Sequence, residues 1–546
     1  MTGGIARRRL LAATALGGGA LAVGGWALAG GALTPGQPGL LLRSRAPLPR
    51  PYAVPLPVPP VLAPTRSDGT ADVYEIVQRT ARLRILPGLE TNAWTYGGTF
   101  PGPTLDSRSG RRTVVRHRNE LPHPTVVHLH GGHTPAGSDG YPTALIVPRG
   151  GAGSGTGTGT GGATSSADDM AGMAGMTGMA GMTGTATTQD HTPTSRTYTY
   201  PMEQRAATLW YHDHRMGFTG PNVWHGLAGF HLVHDDEEEA LPLPRGDRDI
   251  PLMIADRAFE ADGSFRYPAL DAAQHTPGVT DPYMDGVLGD VILVNGAPWP
   301  VLETRRLRYR LRLLNASNAR RYRLALDPPP PGGGALVQIG GDGGLLEHPL
   351  AHDTLDIAPA ERFDVVVDFS RYRPGTRVRL VNRLGSGGTA EVMRFDVSAA
   401  AQPPADDSRI PHRLSTIPAP RPERAVATRT FHFQRRAGST GWTINGRAYE
   451  PGSPLATVRL GTTERWRFVT DFHHPVHLHL DHFQVLARNG RSPGPYDAGW
   501  KDTVDLRPAE SVEIITRFTD YPGRFMLHCH NLEHEDMAMM ADFVTE

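Results

Sequence analysis

The chain has 546 residues, enough for three or four domains. Its 55 basic and 55 acidic residues balance, which excludes charge-driven binding to nucleic acid or to an anionic membrane surface. Hydrophobic content is 39%, and the 64 glycines and 49 prolines suit many short strands joined by turns and long loops.

In chain order, the N-terminus reads as an export signal. Arg7-Arg8-Arg9-Leu10-Leu11 precedes an apolar, Gly-rich run to about Leu33, and Ala27-Leu28-Ala29 offers a small-residue cleavage site. The arginines before two leucines are similar to a twin-arginine signal, a route that carries folded proteins. We place the signal at 1–34 and an extended, Pro-rich linker at 35–70. The expected location is extracellular or in the cell envelope. No stable membrane partner is expected unless the signal stays uncleaved.

The first chemical motif closes a strand-like run from Gly110, GRRTVVRHRNELPHPTVVHLH, on His128-Leu129-His130. A Gly/Ser/Thr-rich insert, 149–196, follows with Met170, Met173, Met176, Met179 and Met182. It buries too little apolar surface to fold, and its soft thioethers suit Cu(I). The second motif is Trp210-Tyr211-His212-Asp213-His214. The acidic run Asp235–Asp247 and the Pro/Ala-rich segment Ala399–Arg424 mark boundaries, giving units at 71–240, 241–400 and 425–546 with a linker at 401–424. The middle unit has no His pair and is read as a spacer. The third motif ends GTTERWRFVTDFHHPVHLH, from Gly461, on His474, His477 and His479. The fourth is His528-Cys529-His530-Asn531-Leu532-Glu533-His534, then Met539.

These units repeat one another. The two runs into His-Leu-His match, and WYHDH aligns with MLHCH, so Asp213 stands where Cys529 stands. PAERFDVVVDF from Pro359 is echoed by PAESVEIITRF from Pro508, and Asn295-Gly296 and Asn445-Gly446 open comparable strand regions.

Cys529 is the only cysteine, so it has no intrachain disulfide partner. A thiolate, two imidazoles and a weak thioether form the donor set of a blue copper site. On a strand, residues i and i+2 share one face and i+1 takes the other. His528 and His530 then face away from the Cys529 thiolate, and one peptide can touch two metal sites. The pairs His128/His130, His212/His214 and His477/His479 have the same spacing. Together the four pairs supply eight imidazoles, which suits a cluster of several coppers. His474, Cys529, His534 and Met539 remain as a blue-copper set. A lone His or Cys is more often an ordinary core residue; His133, His191, His225, His231, His234, His473 and His482 are read that way.

HLHGG, WYHDH, HPVHLH and HCHNLEHEDMAMM resemble the multicopper oxidases of the bacterial laccase and bilirubin oxidase type. The resemblance covers nearly everything after about residue 75. It implies an all-β chain of three cupredoxin-like, Greek-key sandwiches and four coppers. It places His474, Cys529, His534 and Met539 on type 1 copper, and His128 and His477 on type 2. His130, His212, His214, His479, His528 and His530 fall to type 3. It also points to Asp139 and Glu535 as catalytic, proton-delivering carboxylates. The reaction implied is one-electron oxidation of a small reductant, through the edge of His534 or His474, coupled to four-electron reduction of dioxygen to water. Phenols, aromatic amines and bilirubin-like tetrapyrroles are the expected reductants. The alternative is a cuprous oxidase or copper-binding protein of copper homeostasis, to which the Met-rich insert would deliver Cu(I).

Overall fold

The computed structural model describes residues 37–149, 193–400, 405–436 and 441–546. The expected signal and the five methionines of the insert lie outside the described residues. Strands dominate the described chain and pair into sheets that stack two by two, the expected all-β, cupredoxin-like class. Among the described residues no helix is long and apolar enough to cross a membrane.

Alternating patterns build the sheets. Arg112–Asn119 buries Thr113, Val115, His117 and Asn119 and turns the intervening residues outward. Thr463–Thr470 does the same with Glu464, Trp466, Phe468 and Thr470. The first sandwich joins a sheet of Ala71–Leu83, Arg112–Asn119 and Ser195–Tyr200 to one of Gly102–Arg108, Ala228–His234, Ala207–Asp213 and Val127–His130. Tyr74, Val115, Leu105, Val127 and Leu209 fill the space between them. The last sandwich joins Ala425–Arg435, Thr463–Thr470 and Ser511–Arg517 to Met540–Thr545, Gly523–Cys529, His474–Leu478 and Thr503–Leu506. Its core holds Phe431, Trp466, Phe468, Val476, Leu527 and Phe543. Between them lies a larger sandwich around Asp249–Phe259, Arg308–Asn315 and Arg362–Asp368. Each buried Leu, Ile, Val or Phe contributes roughly 1.5–3 kcal/mol. With one cysteine and no intrachain disulfide, these cores carry the stability.

The repeats seen in the sequence recur in the pairing. Ala71–Leu83 runs parallel to Arg112–Asn119, as Ala425–Arg435 does to Thr463–Thr470. In the first unit His128 pairs with His212, and in the last His477 pairs with His528. Each unit therefore lays two His-x-His pairs side by side on adjacent antiparallel strands. The PAER and PAES segments share a backbone oddity: Ala360 (φ 72) and Ala509 (φ 57) are both left-handed. Asn295 (φ 50) and Asn445 (φ 54) are left-handed too, each followed by a positive-φ glycine, so both Asn-Gly pairs form tight turns rather than strand openings.

Two linkers are more than spacers. In the Pro-rich stretch, Leu40–Leu42 pairs in parallel with Val287–Gly289, Pro55 bridges to Val301 and Val61 to Thr104. Within 401–424, Leu414 is buried and its N–H donates to Glu347 O (2.9 Å), while Asp406 pairs with Arg248 and Arg308. Composition showed that these segments form no strand-rich unit of their own, but not that neighbouring sheets bind them. The insert also ends earlier than 196, because Ser195 and Arg196 belong to the strand Ser195–Tyr200.

Candidate metal centres

The histidines and Cys529 converge at two places. In the first, the Nδ1 atoms of His474 and His534 lie 3.0 Å apart, and each is 3.5–3.6 Å from Cys529 Sγ. All three side chains are fully buried. His474 sits on the strand His474–Leu478, Cys529 closes Gly523–Cys529, and His534 rides the short helix Leu532–Asp536. Met539 follows that helix; its backbone carbonyl accepts the Cys529 N–H (3.1 Å), and its side chain is buried in the same apolar core. Neighbouring Met540 instead packs with Tyr449 and Met526.

Outer hydrogen bonds choose the ring nitrogen that faces Cys529. His474 Nε2 lies 3.3 Å from Asp471 Oδ1, and His534 Nε2 donates to Asp285 O (3.2 Å). Both leave Nδ1 free to ligate. Burial pushes both imidazoles down, so they are neutral, and pushes the Cys529 thiol up. A thiolate forms there only if a cation displaces the proton. The Trp442 ring lies 3.8 Å from the His534 ring, and the Arg435 guanidinium covers Trp442 at 4.9 Å. Neither His534 nor His474 reaches the surface, so an electron that enters through either imidazole edge must cross the residues covering it. Sequence pattern gave no sign of Trp442, Asp285 or Asp471.

The second place lies between the first and last units. His130, His212 and His530 form one group of donors within 4.8 Å of one another, and His214, His479 and His528 form another. His128 and His477 complete the set, with their Nε2 atoms 3.4 Å apart. The pairs His212/His214 and His528/His530 are split, each ring serving a different group, while His128 and His130 both lie within 4.8 Å of His477; the shared strand face alone did not reveal this. Outer partners again select the nitrogen. His128 Nδ1 donates to Asp139 O (2.5 Å), His477 Nδ1 to Asp502 O (2.9 Å), and His212 Nδ1 to Asp213 O (2.7 Å). His130 Nε2 donates to Asp502 Oδ1 (3.0 Å). The atoms left over, His130 Nδ1, His212 Nε2, His214 Nδ1 and both nitrogens of His530, include buried lone pairs without a partner. Unpaired buried polar atoms are costly, and so many in one place fit a set of metal ions.

Asp139 and Glu535 both border this second place. Asp139 is buried, and its Oδ2 accepts from His479 Nδ1 (2.8 Å). Burial pushes its carboxyl well above the usual carboxylate range. Gly140 (φ +90) lets the chain turn against Val127, where a Cβ would lie 2.3 Å from the Val127 carbonyl oxygen. Glu535 lies 3.3 Å from His528 Nδ1 through Oε2 and accepts from Thr219 Oγ1 (2.7 Å) through Oε1. Asp213, at the Cys529-equivalent position, accepts from the N–H groups of Val126 and Arg215 and from Asn222 Nδ2 (2.8–3.0 Å), so its carboxylate braces backbone instead. Of the histidines read as ordinary, His225 bonds to Pro221 O, His231 to Ser107, His234 to Glu238 and His133 to Asp520, while His191 lies outside the described residues.

Family models described as multicopper oxidase match residues 419–546, and 78–151 with 169–238. A laccase of Bacillus stratosphericus is 36% identical, over 89% of this chain and 97% of that protein. A bilirubin oxidase of Albifimbria verrucaria is 34% identical, over 90% of this chain and 81% of that protein. The crystal structure of a laccase from Pediococcus acidilactici superposes with a TM-score of 0.74 at 30% identity, covering 92% of this chain and 96% of that one. Similarity across nearly the full length, over a chain that gathers one thiol and ten imidazoles into two buried places, leads to one assignment: the chain belongs to the multicopper oxidase family, as a laccase-like copper oxidoreductase with dioxygen as acceptor and four coppers as its cofactor.

Proposed function

We propose that His474, Cys529, His534 and Met539 hold type 1 copper, that His128 and His477 hold type 2, and that His130, His212, His530 and His214, His479, His528 hold the type 3 pair. The observation that carries this is the convergence of donor atoms on ten imidazoles, of which all but His214 and His530 have the opposite ring nitrogen already committed to a hydrogen bond. When bound, copper supplies one-electron transfer at the Cys529 site and four-electron reduction of dioxygen to water at the eight-imidazole site. The protein's own parts follow from geometry. Cys529 joins the two places covalently, being chain neighbour to both His528 and His530. Trp442 and Arg435 shield His534 from solvent, so a reductant delivers its electron across this cover. The laccase and bilirubin oxidase relatives favour phenols, aromatic amines and bilirubin-like tetrapyrroles over Cu(I) as that reductant. We assign the three domains to 71–240, 241–400 and 425–546, supported by strand pairing that stays within each range apart from Leu40–Leu42 and Arg66–Ser67. The arginines at 7–9 and the apolar run behind them support export. Copper analysis, with dioxygen uptake measured on a phenol, an aromatic amine and bilirubin, tests the reading. Fewer than four coppers, or uptake with none of the three, overturns it.

Asp139 and Glu535 are assigned to proton delivery. Because burial holds the Asp139 carboxyl above its ordinary range, the group keeps a proton to higher pH than an exposed carboxyl and can release it beside the eight imidazoles. Asp139→Asn keeps the shape and can still accept from His479, but carries no acidic proton. Turnover at neutral pH should fall roughly 100-fold or more. The deficit should shrink in acid, where solvent protons are abundant, while copper content stays the same. A uniform loss at every pH that tracks copper loss would make Asp139 structural only.

A further inference from the structure

The middle unit, which supplies no histidine to either place, reaches the eight-imidazole site through one buried arginine. Arg362 opens the strand Arg362–Asp368, and its side chain is fully buried. Burying a guanidinium costs several kcal/mol unless every donor is used. Here all five N–H groups are used. Nε donates to Thr208 O (3.0 Å) of the strand that carries His212. Nη1 donates to Ala360 O (3.0 Å) and Asp502 Oδ1 (2.8 Å), and Nη2 to Asp342 O (3.1 Å) and Asp502 Oδ2. One side chain thus ties the first, middle and last units together. There is no slack around it: a Cβ on Gly131 would lie 2.6 Å from Arg362 Nη2 and 2.8 Å from Asp502 Oδ2.

Asp502 is where this tie meets the imidazoles. Its carboxylate accepts from His130 Nε2 (3.0 Å) and its backbone carbonyl from His477 Nδ1 (2.9 Å). One residue therefore fixes two rings of different groups, one by each ring nitrogen. Asp342, also from the middle unit and buried, grips the same stretch of chain. Its Oδ2 lies 3.2 Å from Lys501 Nζ and accepts from the N–H groups of Thr503 (3.3 Å) and Asp502 (3.4 Å), while Oδ1 accepts the Arg362 N–H (2.8 Å).

We propose that Arg362 and Asp342 are positioning residues for the copper cluster: they hold Asp502 so that His130 presents Nδ1 and His477 presents Nε2 to metal. The middle unit is then the part that sets cluster geometry, and its contribution passes through this brace. The proposal rests on His130 and His477 being copper ligands.

The test uses the full-length, copper-loaded enzyme and the variants Arg362→Gln, Arg362→Lys and Asp342→Asn. His477→Ala serves as the ligand control. Arg362→Gln should keep the blue absorption but lose the type 2 electron paramagnetic resonance signal first, on dialysis against a chelator. Copper retention at the cluster should weaken about 10- to 100-fold, the usual effect of removing a ligand's outer partner. Arg362→Lys keeps the charge and one of the two bonds to Asp502, and should recover part of the type 2 signal. Asp342→Asn should show the same order of loss more weakly. Blue absorption and cluster copper lost together, in proportion to a fall in Tm, would reduce Arg362 to a fold residue and overturn the proposal. Retention of all four coppers with unchanged spectra would overturn it as well. If His477→Ala itself keeps type 2 copper, the ligand assignment fails, whatever the arginine variants show.

Discussion

Cys529→Ser should erase the blue absorption and lower turnover by about three orders of magnitude or more, roughly 4 kcal/mol in barrier. The sulfur lies 3.5 and 3.6 Å from the two Nδ1 atoms that face it, in a fully buried apolar setting. Only a thiolate there gives the intense band, and a hydroxyl is a harder donor that keeps its proton. Burial already pushes the thiol up, so the cation must displace a proton to be held. A hydroxyl raises that cost far more. The eight imidazoles belong to the opposite side of the His528–His530 peptide, so their copper should stay. Metal analysis should show one copper lost of four, with the type 2 resonance intact. A serine variant that stays blue, or that oxidises a phenol at the parent rate, would remove Cys529 from the type 1 site.

How much of this was legible in the sequence depends on distance along the chain. Within a strand, spacing is enough: His528, Cys529 and His530 announce a two-faced peptide, and the structure puts the thiol in one place and the rings in the other. Between strands, repetition helped. WYHDH and MLHCH align, and the backbone pairs His128 with His212 as it pairs His477 with His528. The outer partners were not legible. Asp502 stands 372 positions after His130, and Asp285 stands 249 before His534. No periodicity says which loops of separate sandwiches meet. Arg362 lay in a quoted repeat, where Ser511 takes its place in the last unit, yet its use depends on three units closing around it. Trp442 reads in sequence as one more core aromatic, and only the His534 ring 3.8 Å away gives it a role.

His212→Ala and His530→Ala should uncouple the two places. The blue absorption should persist and bleach when a phenol is added without air. Recovery in air should then be slower by about three orders of magnitude. His212 reaches its group through Nε2, which has no protein partner, while Nδ1 is committed to Asp213 O; His530 has no protein partner on either nitrogen. Neither ring touches the Cys529 sulfur, so type 1 copper has no reason to leave. Stability separates this outcome from simple damage. In the copper-free chain the alanine loses ring packing, as against Trp210 at 4.2 Å, but also deletes a buried polar group that nothing satisfies. These effects oppose each other, and Tm of the copper-free form should shift little. In the copper-loaded enzyme the variant also loses binding energy that favours the folded state, so its Tm should fall towards the copper-free value. Equal drops in both forms would mean that the rings are packing residues. Full recovery of the blue colour in air by either variant would place the dioxygen-reducing copper elsewhere.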